Sequence, residues 1–535
     1  MLINRDHDTG SLFDPWRYLG DKRRRLLEKS WAAVFREYLL SELPVAEIGA
    51  HFSDDMGRPT KDLSMVLGAL ILQQLHDYTD RETVEAVALS IQWQYALDIQ
   101  REEDAYLCER TLRNYRRLVI ERELDQVMFR TLTDKLIASV GVDTSRQRLD
   151  STAIRSAMRS LTRLGTFVET VSKFLRELRR KYPDLLGLLD ADDWRRYVDR
   201  TGEGCFALAI PSQSKRRLPA AARDLYRLVE QFRSTPAAGL ESYQLLARVL
   251  DEQCEIVEDD SDDGPVSRSG STVVLKAPHD IACDNVVNPA DPDTSYNAHR
   301  GLGYLVQIME SFSGDDTLDG AEPKPDLITH VALGKMNTHD QEALVPALSD
   351  TQERNVGPIL LLADTHYGSN ECVKEAAARG VELLSPIMTA KGKKQNKLTL
   401  EDFELDASGR VLRCPKGHEP VLTRAKDYGL QARFDQATCA GCVAGNLCPA
   451  FGKANLYYTH ERVKNRTKRL TQQEPRFRDR YRMRSGIEAT MSRYKHQMNM
   501  ARLRVGGMGA VRYRAVLRAL GLNIFRVTAW RESMC

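Results

Sequence analysis

The chain has no long hydrophobic run. Its longest apolar stretches, such as Ile359–Ala363, are far too short to cross a bilayer. Residues 1–30 hold no apolar core of the kind a secretory leader needs and are instead studded with Asp, Arg and Lys. There is no internal repeat and no long low-complexity tract, which excludes a solenoid or an extended tail as the organising plan. Cysteine is sparse, at ten in 535 residues, and net charge is almost nil at +2. These absences point to a cytoplasmic protein with no membrane partner and with reduced thiols rather than disulfides. The length is enough for roughly two to four domains with ample core.

What is present is unevenly distributed. From Lys453 to Glu532 there are 20 Lys and Arg against 5 Asp and Glu, whereas Asp251–Asp263 is heavily acidic. A neutral chain with one basic end suggests a polyanion partner for that end, although most charge runs are only solvated helix faces. Opposite charge also suggests that the acidic segment masks the basic one.

Residues 20–138 read as almost wholly helical, with apolar residues at three- and four-residue steps over Lys22–Leu40, Ser64–Leu75, Arg81–Leu97 and Thr111–Ala138. Thr79 and Glu82 have the spacing of a capping box. Helices beginning near Arg81 and near Glu109 suggest a helix-turn-helix-like pair with Arg110, Arg113, Arg116 and Arg117 along the second. A plain bundle with a basic face fits equally well. Strand-like segments follow at Arg146–Asp150, Gly303–Ser311, Asp326–Leu333, Gly357–Ala363 and Val381–Pro386, with helices at Thr338–Leu348 and Ser369–Arg379. That alternation describes a mixed α/β sheet. Between the first two strands lies a long helical stretch, with helices expected at Thr162–Tyr182, Trp194–Val198 and Pro219–Glu258.

Two of these strands deliver an acid. Asp364 ends a five-residue apolar run, which places a carboxylate at the edge of the sheet where α/β folds keep their ligands. A turn or cap role is the bland alternative. Asp150 repeats the pattern on a shorter strand, with Asp143 as a decoy; Asp280, Asp293 and Asp326 read as turn residues.

A third acid lies near the C-terminus. Tyr481, Arg484, Glu488 and Lys495 stand three, four and seven residues apart, within an arc of roughly 60° on one continuous helix. Two strand-borne aspartates and a helix-borne glutamate can hold a pair of Mg²⁺ ions about 4 Å apart, with Mn²⁺ as a substitute. Arg484 and Lys495 would then hold phosphate, and Tyr481 would stack on a base or bond a phosphate. Glu488 also has the spacing of a surface ion pair with Arg484.

The pattern Tyr481-x2-Arg484-x3-Glu488-x6-Lys495 resembles the Tyr-Arg-Glu-Lys signature of DDE insertion-sequence transposases. So do the segments GIEATMSRYKHQMNMARLRVGG, ADTHYGS, RLDSTAI and SMVLGALILQQLHDYTDRETVEAVALS. The resemblance covers most of the chain except the stretch near 160–290. It implies an RNase H-like mixed-sheet catalytic core, with Asp150, Asp364 and Glu488 as catalytic metal ligands and Tyr481, Arg484 and Lys495 on DNA. The implied activity is Mg²⁺-dependent cleavage at the terminal inverted repeats of an insertion sequence and strand transfer into target DNA. Double-stranded DNA, a homodimer formed on it and association with the bacterial nucleoid follow from the same resemblance. The expected division is a helical DNA-binding domain at 1–140 and a catalytic domain at 141–535, interrupted by a helical insertion at 155–295 and a Cys-rich insert at 390–470. The alternatives are an RNase H-like nuclease without strand transfer, or a domesticated, non-catalytic DNA-binding protein.

Cys414, Cys439, Cys442 and Cys448 cluster in the second insert. In a reducing compartment grouped thiols more often bind metal than form disulfides, and a Cys-x2-Cys pair sets two of them on one turn. The four would make a structural Zn²⁺ site, with His418 as an alternate ligand.

Overall fold

The computed structural model describes residue 7 and residues 15–51, 60–198, 211–258, 271–313, 323–390, 393 and 395–534. The helical beginning is as expected, with sharper breaks. Asp21–Glu28 and Trp31–Tyr38 are separate helices because the Ser30 hydroxyl accepts from the Ala32 amide and starts the second. Leu63–His76 is buried on nearly every side. Asp80–Leu89 begins with the complete Thr79/Glu82 capping box. The long expected helix over Thr111–Ala138 divides at Glu123, which takes a left-handed conformation between Glu109–Glu121 and Leu124–Val140. In the basic helix Arg116 turns inward to Asp80 and Gln73 (3.1 Å to the latter), while Arg110, Arg113 and Arg117 stay exposed.

The main sheet is assembled from strands far apart in sequence. Its members are β1 (Arg146–Arg155), β4 (Ser295–Asn297), β5 (Gly301–Ser311), β6 (Ile328–Lys335), β7 (Leu360–Ala363) and β8 (Glu382–Leu384). The hairpin β2 (Cys254–Glu258) and β3 (Ser271–Leu275) belongs to the insertion between β1 and β4. β1 lies at the centre, antiparallel to β5 and parallel to β7; β5 carries β6 and β4 on its far edge, and β8 extends the parallel side. Three antiparallel strands followed by two parallel ones are the RNase H-like arrangement.

Helices cover both faces, as a sheet buried on both sides requires. Leu344–Glu353 and Asn370–Ala378 pack on Leu149, Met309, Leu361 and Ala363. On the other face Ile154, Tyr304, Val306 and Ile308 join a core shared by the N-terminal helices and the C-terminal helix Met508–Met534. The helical insertion closes a core of its own around Phe167, Phe174, Phe232 and Leu246. Its expected last helix, Pro219–Glu258, is instead Pro211–Phe232, a 3-10 turn, Glu241–Gln253 and then β2. Residues 259–263 of the acidic segment lie outside the described residues, and its supposed masking role with them.

The Cys-rich insert holds β9 (Glu404–Leu405), β10 (Val411–Arg413), β11 (Leu422–Lys426), β12 (Gly429–Arg433) and β13 (Asn455–Thr459) around a small core of Phe403, Leu430, Phe434 and Tyr458. Among the described residues no helix is long and apolar enough to cross a membrane.

Candidate active site

Pairing between β1 and β7 ends at Leu149 with Ala363, so Asp150 and Asp364 are the next residues along two adjacent parallel strands. The expectation that β1 stops at Asp150 is corrected. β1 continues to Arg155, because β5 pairs with it as far as Arg155 with Gly303, and only the β7 side opens at the acid. A carboxylate there projects where one neighbour has left the sheet. Burial pushes the Asp150 carboxyl up to about 6, against the opposing pull of Arg484 and the Ser151 amide; Asp364 and Asp340 add to the rise.

The third acid reaches this edge by a path other than a straight helix. Pro475–Tyr481 is one helix, Arg482–Ser485 a 3-10 turn and Gly486–His496 a second helix. The cause of the break is Arg148. Its guanidinium is 5% exposed and bonded to Glu310 (2.7 Å), Asp326 (2.7 Å) and the Met483 carbonyl (2.9 Å). It lies directly beneath Gly486, in space a β-carbon would need. Asp326, read from sequence as a turn residue, is therefore part of a buried ion network. Glu310 also accepts from the Thr490 hydroxyl at 2.6 Å and from Arg526 at 2.9 Å. Ile487, Thr490, Met491 and Tyr494 face inward, and the Tyr494 hydroxyl donates to the Ala515 carbonyl at 2.8 Å. Glu488 is thereby turned outward.

Arg484 spans two of the acids. One of its amino groups donates to Asp150 at 2.6 Å and the other to Glu488 at 3.1 Å, while its buried Nε has no partner. The surface-pair spacing of Glu488 and Arg484 is thus realised, and the same guanidinium ties the helix to β1. Tyr481 stacks on Phe477 and donates its hydroxyl to the Ala363 carbonyl at 3.1 Å, immediately before Asp364. Burial pushes this phenol up to about 12, against the pull of Arg484. Lys495 is half-buried; burial and Arg155 lower its ammonium, and Asp150 opposes them.

Asp364 sits in a different group of ligands. One of its oxygens accepts from the His366 amide at 2.9 Å, the cap role that sequence offered as the alternative. A metal-ligating atom of Asp364 also lies within 4.8 Å of one on Asp340 and one on His366. Among the described residues that trio is the set close enough to share an ion, and neither Asp150 nor Glu488 belongs to it. Asp340 and His366 carry no spacing signal. Asp340 is placed by Arg300 (2.7 Å) and by the Ser151 hydroxyl (2.7 Å), both remote in sequence. Although burial opposes it, those bonds hold Asp340 below the usual carboxylate range.

Cys414, Cys439, Cys442 and Cys448 line one pocket together with His418. None is in a disulfide, and burial with the neighbouring thiols pushes Cys439 up. The helix His460–Thr471 follows β13, and its Asn465 accepts from Asn370, the first residue of the helix after Asp364, at 2.9 Å.

One acid thus lies on a central strand, one follows its parallel neighbour and one lies on a later helix, the first and last joined through Arg484. Comparison with known families gives the class. Residues 413–528 match the family described as Transposase DDE domain, and residues 24–118 match the Transposase domain DUF772. No curated protein and no solved structure gives a significant match. Both matches support a DDE transposase of an insertion sequence, which is an enzyme. The first match contains Tyr481, Arg484, Glu488 and Lys495; Asp150 and Asp364 lie before it.

Proposed function

We propose that this transposase cuts DNA at the terminal inverted repeats of its element and joins the freed 3′ end to target DNA, with Asp150, Asp364 and Glu488 holding the divalent ions. The observation that carries the reading is the placement of Asp150 and Asp364 at neighbouring register positions, with Arg484 linking Asp150 to Glu488. The donors suit Mg²⁺ or Mn²⁺: all three are carboxylates, and the burial and mutual repulsion that push Asp150 up are what a bound cation relieves. A pair of ions held there would assist attack and stabilise the leaving oxygen of an in-line phosphoryl transfer.

The chain's own groups set the rest. Arg484 neutralises Asp150 and Glu488 when no cation is bound, and its unpartnered Nε is a ready donor to a phosphate. Lys495 adds a second cation about two turns beyond Glu488 on the same helix. Tyr481 fixes the end of β7 through Ala363 and offers the open part of its ring to the strand. Because two element ends must meet, the working form on DNA is a homodimer. In the Cys-rich insert Cys414, Cys439, Cys442 and Cys448, with His418 in reserve, would hold a structural Zn²⁺; their gathering around one pocket supports this.

The test uses the purified chain with its terminal repeats and a second duplex, in Mg²⁺ and in EDTA. Cleavage and strand-transfer products should both require the metal and fall at least about a hundredfold in Glu488→Gln. Cleavage undiminished in that variant rejects the assignment, and cleavage without joining in the parent leaves a nuclease. Zinc content unchanged in Cys442→Ser removes the zinc site.

A further inference from the structure

Around Asp364 lies a group of ligands of which the three-acid scheme uses only that one. Asp340, Asp364 and His366 bring one ligand atom each to within 4.8 Å of one another. Acidic clusters of this kind are common without an ion, but a second observation singles this one out. Tyr367 is wholly buried, yet its hydroxyl has no hydrogen-bond partner. A buried hydroxyl left unpaired is destabilising, so such groups ordinarily find a partner. The turn Thr365–Tyr367 that carries this phenol is capped by Asp364 and packs on the turn Asp340–Ala343, so Tyr367 shares the neighbourhood of all three donors.

We propose that Asp340 and His366 are ligands, with Asp364, of one divalent cation, and that the Tyr367 hydroxyl is the donor that orients the oxygens around it. The inference rests on the reading of Asp364 as a metal ligand and adds two donors to it. Asp340 is prepared for the task. Arg300 and Ser151 fix its plane: one oxygen accepts from both, while the other accepts only from Arg300 and keeps a lone pair for an ion. Ser151 follows Asp150 directly, so the same bond couples the ligand on the 3-10 turn Asp340–Ala343 to the catalytic strand. His366 is exposed and follows Asp364 by two residues, on a turn that the Asp364 carboxylate itself caps. An imidazole among the donors shifts the preferred ion from Mg²⁺ towards a first-row transition ion such as Mn²⁺.

Mn²⁺ binding to the full-length protein without DNA, followed by electron paramagnetic resonance, tests this. Four variants are compared with the parent: Asp340→Asn, His366→Ala, Tyr367→Phe and Asp364→Asn. His366→Ala should weaken Mn²⁺ about tenfold and Mg²⁺, measured by competition, much less. Asp340→Asn should weaken both about tenfold, and Tyr367→Phe a few-fold. His366 is on the surface, so its substitution reports on the ion rather than on folding; circular dichroism controls for the buried Asp340. Unchanged Mn²⁺ affinity in His366→Ala and Asp340→Asn, with loss in Asp364→Asn, overturns this inference and leaves the three-acid reading intact. Unchanged affinity in Asp364→Asn as well overturns both.

Discussion

Gly486 and Arg148 settle where the helix that carries Glu488 begins. The guanidinium fills the space beside the glycine and is too firmly bonded to retreat. Gly486→Ala should therefore cost about 1–3 kcal/mol in chemical denaturation and should misplace Glu488. Wild-type stability in that variant would mean that Arg148 has room to move. His76 makes a second prediction at this scale. Its ring packs among Trp31, Tyr78, Trp93 and Phe525, and its Nε2 has no partner. Burial lowers its pKa to about 4. The unfolded chain takes up this proton near pH 6.5, before the folded one does, so the His76 contribution is complete above pH 6.5 and is lost as pH falls through 4. At most about 3 kcal/mol disappears over that window. His76→Phe should flatten this part of the stability profile; an unaltered slope between pH 4 and 6.5 refutes the assignment.

Elements were legible in sequence to different degrees, and the differences have physical causes. β7 could be located because five apolar residues before Asp364 have nowhere to go but a buried strand. β1 was found but cut short: its continuation past Asp150 is set by β5, whose pairing no local pattern announces. The break before Gly486 was invisible for a similar reason, since the pressure comes from Arg148 more than three hundred residues away. Asp340 gave no signal at all, because its partners Arg300 and Ser151 meet it only in the fold. Capping, by contrast, is local chemistry. The Thr79/Glu82 box formed as its spacing demanded, and Thr79→Ala should cost about 1 kcal/mol without altering the fold. A thermal melt superimposable on the parent's would show the cap to be idle.

Across the whole molecule the hydrophobic cores do not follow the order of the chain. The helices before residue 141 bury their apolar faces with Met508–Met534 and with one face of the sheet. A fragment of residues 1–141 should accordingly lack a cooperative unfolding transition, whereas a fragment of residues 159–290 should keep one, because the insertion closes its own core. Calorimetry on the two fragments decides this; a sharp melt for 1–141 would show that the first helices are self-sufficient.

The position of Met508–Met534 in that shared core has a consequence for synthesis. The early helices leave the ribosome several hundred residues before the helix that covers them. At ordinary elongation rates this leaves their apolar faces uncovered for roughly half a minute. Within that interval they are exposed to chaperones and proteases, and nascent chains stalled before residue 508 should be digested there far faster than released protein. A translation product broken off before residue 508 would lack both the Ala515 carbonyl that anchors the Glu488 helix through Tyr494 and the cover for the early helices. Quality control would then remove the incomplete chain.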